Sequence, residues 1–198
     1  MTSIDLVHRT LSEALGALQA TLENRAVLAS IAEAGDVLSR ALAGGQKVYS
    51  CGNGGSMCDA MHFAEELSGR FRLDRPALAA TAISDPSHLS CVANDYGYEQ
   101  VFSRYIEAHG RPGDCLLAIS TSGTSKNVVR AAEAARALGV SVIGLTGAPD
   151  SVLARHCDVV VCTPAGKFAD RVQELHIKVI HILIELVEAH VFEESRAL

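Results

Sequence analysis

Positive charge is what this sequence has too little of to act mainly on nucleic acid. Its 17 lysines and arginines face 23 aspartates and glutamates, giving a formal net charge of −6 and a pI near 5.7. A phosphate backbone needs a basic face. A small anionic ligand remains allowed, because a few backbone N–H groups bind a phosphate whatever the global charge. No uncharged apolar stretch approaches the ~20 residues of a bilayer span, so no membrane partner is expected. The first ten residues, MTSIDLVHRT, include Asp5 and no long apolar segment. They do not read as a signal peptide, and a cytoplasmic location is expected. Six cysteines stand at 51, 58, 91, 115, 157 and 162 with no C-x-x-C pair, which predicts reduced, mostly buried thiols. Tryptophan is absent, yet 48% of residues are apolar and 20% charged, an ordinary globular balance. Nothing reads as disordered, and 198 residues suffice for one substantial core.

With no repeat, low-complexity tract or linker in view, residues 1–198 are expected to form one domain, with a helical extension over about 1–43. Leu11, Leu15, Leu18 and Leu22 recur there at helical spacing, and Gly44-Gly45 ends the pattern. Short apolar runs follow at 47–51, 78–83, 115–120, 140–146 and, more weakly, 158–162. Helical patterns lie between most of them, at 57–70, 98–109, 125–138 and 150–156. Apolar strands alternating with helices predict an α/β fold, a mainly parallel five-stranded sheet with helices on both faces. A last helix is expected from 170 to about 192. Between Ile177 and Val187 its apolar residues point in nearly every direction, which predicts burial all round, most easily achieved against another chain.

Ligands of open α/β sheets bind beyond the carboxyl ends of the strands, and two such positions are distinctive. Cys51-Gly52-Asn53-Gly54-Gly55-Ser56 follows the first strand; its glycines permit close backbone approach and the helix behind it favours an anion. It lacks the Gly-Lys-Ser/Thr ending of a nucleotide P-loop, and a plain structural turn accounts for it equally well. The stronger signal is Ser120-Thr121-Ser122-Gly123-Thr124-Ser125 after the third strand. Capping the next helix needs one hydroxyl, supplied by Thr124 or Ser125. Five hydroxyls in six residues predict a cradle for phosphate oxygens instead.

Ionisable candidates lie on the helices expected to flank these loops. His62 and Glu66, four residues apart, share one helix face, although a surface pair would show the same spacing. Glu65 should face elsewhere. On the last helix Asp170, Gln173 and His181 interrupt the apolar surface; a buried neutral imidazole is the usual account of His181, and His176 and Glu185 compete with it. A carboxylate and a histidine suit general acid–base work. No Gly-x-Ser-x-Gly or His-Glu-x-x-His motif points to a serine hydrolase or a zinc protease.

Five stretches carry a resemblance to a known family: SCGNGGS at 50–56, DAMHFAEELSGRF at 59–71, AISDPSHLSCVANDYGY at 82–98, LLAISTSGTS at 116–125 and ADRVQELHIKVIHILIELVE at 169–188. The chain resembles the bacterial phosphoheptose isomerases of the sugar-isomerase (SIS) fold, departing at Met57, where some members carry histidine. The resemblance implies interconversion of sedoheptulose 7-phosphate and D-glycero-D-manno-heptose 7-phosphate through a cis-enediol, in the supply of heptose for lipopolysaccharide or other surface glycans. It implies Glu66 and His181 as catalytic residues. Asn53, Gly54, Gly55, Glu66, Asn94, Asp95 and Gln173 would contact the sugar, and Ser120, Thr121, Ser122 and Ser125 the phosphate. It further implies Zn²⁺ held by His62, Glu66, Gln173 and His181, and a homotetramer. Gln173 and His181, eight residues apart, stand about 12 Å apart along a straight helix. If both serve one ion, they come most simply from different chains, so sites at subunit interfaces are expected. The alternative is a non-catalytic sugar-phosphate-binding regulator, similar to the replication-initiator-associating SIS proteins but lacking the acid–base set.

Overall fold

The structure, a computed structural model, describes residues 1–72, 74–164, 166 and 168–193. All five expected strands form: β1 (Val48–Gly52), β2 (Ala80–Ala82), β3 (Cys115–Ile119), β4 (Ser141–Thr146) and β5 (Val159–Cys162). They make one parallel sheet in the order β2-β1-β3-β4-β5. Among the described residues seven α-helices accompany it: α1 (Ser3–Glu23), α2 (Arg25–Ala43), α3 (Gly55–Ser68), α4 (Pro86–Tyr96), α5 (Ser103–His109), α6 (Lys126–Ala137) and α7 (Ala169–Glu188).

Alternation along the strands builds two cores. Cys115, Leu117 and Ile119 of β3 join Leu38 of α2, Phe63 of α3 and Ile180 of α7 on one face. Leu116 and Ala118 join Ile106 of α5 and Ala131 of α6 on the other. Strands covered on both faces are apolar at every position, which is why each run was visible in the sequence. The register then places the two distinctive loops side by side: Gly52 of β1 pairs with Ile119 of β3, so both turns leave from one level of the sheet.

The N-terminal region is two helices, because Asn24 ends α1 and starts α2, its side-chain oxygen accepting from the N–H groups of Ala26 and Val27 at 3.1 and 3.3 Å. Helix α4 arises where no element was read; Asp85 caps it, accepting from the His88 N–H at 2.8 Å, with Pro86 in the first turn. Helix α7 packs most of its apolar residues within its own chain. Its own chain covers Val179, Ile180, Leu183, Ile184 and Val187 through α2 and α3, while Ile182 remains 42% exposed. On α1, Leu11, Leu15, Leu18 and Leu22 are all exposed within the single chain. Of the six free cysteines only Cys51 and Cys115 are fully buried; Cys58 and Cys91 are exposed. No helix among the described residues is long and apolar enough to cross a membrane.

His176 on α7 is fully buried, with neither ring nitrogen hydrogen-bonded. Burial pulls its pKa from 6.5 down to about 4, and the Thr146 backbone offsets only part of that. Between those two values the unfolded chain binds the extra proton, so stability rises with pH through this window and falls as pH drops. The full difference amounts to roughly 3 kcal/mol. Chemical denaturation between pH 7 and 4 should therefore show a loss that His176→Phe diminishes; an unchanged slope would assign the acid sensitivity to other groups.

Candidate active site

The turn after β1 depends on its glycines. Gly54 has φ +55°, and a Cβ on Gly52 would sit 2.6 Å from the Ser56 carbonyl oxygen. A Cβ on Gly55 would sit 2.7 Å from the side-chain nitrogen of Gln173. Gln173 of α7 thus packs on the N-terminal end of α3. Asn53 is held by Asn127 at the start of α6 through reciprocal amide hydrogen bonds of 2.9 and 2.8 Å, and accepts a third from the Tyr98 hydroxyl at 3.3 Å. Those bonds tie the β1 turn to the hydroxyl loop beside it. Asn127 and Tyr98 were not singled out in the sequence, where nothing marks an Asn inside a helix start as a strut.

In the hydroxyl loop Gly123 has φ +63°, and a Cβ there would lie 2.2 Å from Ser151, so only glycine fits. Its N–H donates to the buried Ser120 oxygen at 3.1 Å. Ser125 stands at the N-cap position of α6, but its side chain caps nothing; it accepts from the Ser120 hydroxyl at 3.0 Å. Ser122 and Thr124 are exposed and bonded to each other at 2.9 Å. Capping therefore does not account for the hydroxyls, which leaves them available to an anion.

The ionisable cluster lies further along α3. His62 Nε2 is 3.0 Å from His181 Nε2 of α7 and 3.6 Å from Glu66 Oε1, all within one chain. The imidazole rings meet edge to face with centroids 5.2 Å apart, and the Phe71 ring lies 5.7 Å from that of His181. Glu65 does not face elsewhere: its carboxylate reaches back to His62 Nδ1 at 3.1 Å. His181 is distinguished from its competitors, since His176 is sealed in the core and Glu185 pairs with Arg72 in solvent. Burial lowers the His181 pKa, as do His62 and Lys178, while Glu66 pulls the other way. A neutral imidazole at pH 7 follows, able to accept a proton at one nitrogen and donate at the other. Asp59, one turn before His62, was not nominated. Burial raises its carboxyl pKa to about 6 against the opposing pull of His62, and its Oδ2 is buried without a partner. The i,i+3 spacing to His62 was its readable signal.

Zinc bonds of about 2.0–2.1 Å put neighbouring tetrahedral donors roughly 3.3 Å apart. His62 Nε2 lies near that distance from His181 Nε2 and from Glu66 Oε1, at 3.0 and 3.6 Å. Among the described residues, the group whose donor atoms all lie within 4.8 Å of one another is His62, Glu65 and Glu66, without His181. Gln173 does not join this group in its own chain. It touches Gly55, seven residues before His62 and so about 10 Å along α3. Asn94 and Asp95, in the last turn of α4, are exposed and bonded to each other at 2.7 Å.

Residues 12–147 match the SIS domain family. The phosphoheptose isomerase of Sodalis glossinidius is 56% identical over 184 residues, 93% of this chain and 95% of that one. That of Aeromonas salmonicida is 57% identical, covering 93% and 96%. The chain belongs to the SIS family, within its phosphoheptose isomerases. The solved phosphoheptose isomerase structure from Neisseria gonorrhoeae superposes with a TM-score of 0.88 at 35% identity, over 95% of this chain and all of that one. The one from Francisella tularensis gives 0.88 at 34% identity, over 94% and 98%.

Proposed function

We propose that this phosphoheptose isomerase family member converts sedoheptulose 7-phosphate to D-glycero-D-manno-heptose 7-phosphate, with Glu66 and His181 as its proton-transfer pair. The observation that carries the reading is their convergence on His62, which a mere sugar-phosphate-binding regulator does not need. Glu66 removes a proton from C1 to give a cis-enediol and returns it at C2. His181 moves the proton between the two oxygens, as its neutral imidazole allows. Ser120, Thr121, Ser122 and Ser125 take the phosphate; Asn53, Gly54, Gly55, Asn94, Asp95 and Gln173 take the sugar. His62, Glu66 and His181 would hold a Zn²⁺ ion, which would supply a Lewis acid for the substrate carbonyl. The reaction fits a cytoplasmic supply of heptose for lipopolysaccharide or other surface glycans.

Distances within one chain favour sites shared between chains. The phosphate loop leaves the sheet beside Gly52, whereas His62 and Glu66 lie about 10 and 16 Å down α3 from Gly55. A sugar phosphate held by the loops of one subunit meets the acid–base cluster of its neighbour, and Gln173 of one chain would complete the ion site of the other. The exposed leucine stripe of α1 supplies apolar surface for such an assembly, read here as a homotetramer.

Incubation with sedoheptulose 7-phosphate should yield the aldose, read by NMR. Ser122→Ala should raise KM about tenfold, the ~1.5 kcal/mol of one hydrogen bond to a charged group, with kcat little changed because binding weakens equally in ground and transition states. No aldose product would overturn the activity, and an unchanged KM would move the phosphate elsewhere.

A further inference from the structure

We propose that Arg75 is a positioning residue for isomerisation: its guanidinium locks the C-terminal end of α3 to that of α7 and thereby sets the spacing of Glu66 and His181. The inference rests on reading those two residues as the proton-transfer pair.

Arg75 lies between α3 and β2 with its side chain only 4% exposed. Its Nη2 donates to the carbonyl of Glu66 itself at 2.7 Å. Its Nη1 donates to the carbonyls of Leu67, Gly69 and Pro76 at 2.8, 3.3 and 3.2 Å. Its Nε donates to Glu188 Oε1 at 2.9 Å, and that carboxylate is 11% exposed. The Phe192 ring lies 5.9 Å from the guanidinium carbon.

The end of α3 calls for this cation. The last carbonyls of a helix lack partners within it and form the negative end of its dipole. The last turn of α3 contains no basic residue, and Arg75 supplies one from outside the helix. On α7 the helical backbone runs on past Glu188 to Glu193, and there Arg75 takes the Glu188 carboxylate. One planar fork therefore ties the end of α3 to α7. One of those helices carries His62 and Glu66, and the other carries His181 two turns before Glu188.

A second pair, Arg72 with Glu185, joins the same segment to α7, but its side chains are 58% and 51% exposed. Exposed pairs contribute little and are screened, so the buried fork fixes the geometry. Lysine cannot replace it, because a single ammonium cannot span several carbonyls and a carboxylate in one plane. Proton transfer is sensitive to such placement, a shift of about 1 Å costing up to ~10²-fold in rate. The phosphate loop lies at the other end of α3 and should not register the change.

The test measures kcat and KM for sedoheptulose 7-phosphate with Arg75→Lys, Glu188→Gln and the double variant, well below each thermal midpoint. Arg75→Lys should lower kcat by about 10- to 10²-fold with KM within about twofold. Glu188→Gln should lower kcat less, and the double variant should be no worse than Arg75→Lys, since both act through one fork. A folded Arg75→Lys or Glu188→Gln protein with parental kcat overturns the proposal, as does a loss confined to KM. Should Arg75→Lys not fold, Glu188→Gln decides on the same criteria. Glu66→Gln and His181→Ala run alongside: if they stay active, the proton-transfer assignment fails; if they are dead while the Arg75 and Glu188 variants are unaffected, only the positioning role fails.

Discussion

Glu66→Gln should lower kcat by at least ~10²-fold, the usual contribution of a general base, while the protein keeps its fold. The substitution preserves shape and the oxygen facing His62 Nε2, but an amide does not accept the C1 proton. Glu66 lies at the rim of the core with its side chain 18% exposed, so no buried ion pair breaks. His181→Ala should be similarly damaging, because no other described imidazole is placed to serve: His62 is its neighbour and His176 is sealed in the core. A loss under about tenfold for Glu66→Gln would exclude it as the base. Circular dichroism and thermal midpoints separate lost chemistry from lost structure.

The second large effect is a pattern of rescue between inactive chains. Glu66 and His181 both lie against His62 within one chain, so mixing Glu66→Gln with His181→Ala should restore nothing, because every cluster in the mixture lacks one member. Mixing Glu66→Gln with Gly123→Ala should restore activity. Gly123→Ala should break the hydroxyl loop proposed to hold the phosphate, since its Cβ would lie 2.2 Å from Ser151 at a φ of +63°. If loop and cluster come from different subunits, random reassortment leaves about one site in four with both halves intact. Activity near a quarter of parental is therefore expected, with subunit exchange verified by mass spectrometry. Rescue by the first pair, or none by the second, would contradict a shared site so divided.

The strands and the hydroxyl-rich loop after β3 could be read from sequence because each expresses one constraint: burial on two faces, or a density of hydroxyls beyond what a cap uses. The Gly-rich turn after β1 read equally well as a plain structural turn. Helix α4 could not be read from periodicity, since Val92 is its only buried residue; the capping signal at Asp85-Pro86 was there. The break at Asn24 was hidden because the apolar period runs through it while one side chain turns the chain. At the site, spacing paired His62 with Glu66 but left His181, His176 and Glu185 equal. Only tertiary packing separates them, by sealing one imidazole in the core and sending the carboxylate to Arg72. Glu65 shows the limit of face arguments, because a long side chain reaches an i,i−3 neighbour.

Proton transfer through an enediol, with Glu66 acting at carbon, leaves an isotopic trace when the reaction is run in deuterium oxide and followed by NMR. The carboxylate and His62 are both partly open to solvent, so the abstracted proton should exchange while the enediol lives. The aldose product should then carry solvent deuterium at C2, recovered ketose should carry it at C1, and Glu66→Gln should abolish both. Product formed with no deuterium at C2, or C1 exchange that survives Glu66→Gln, would contradict the account.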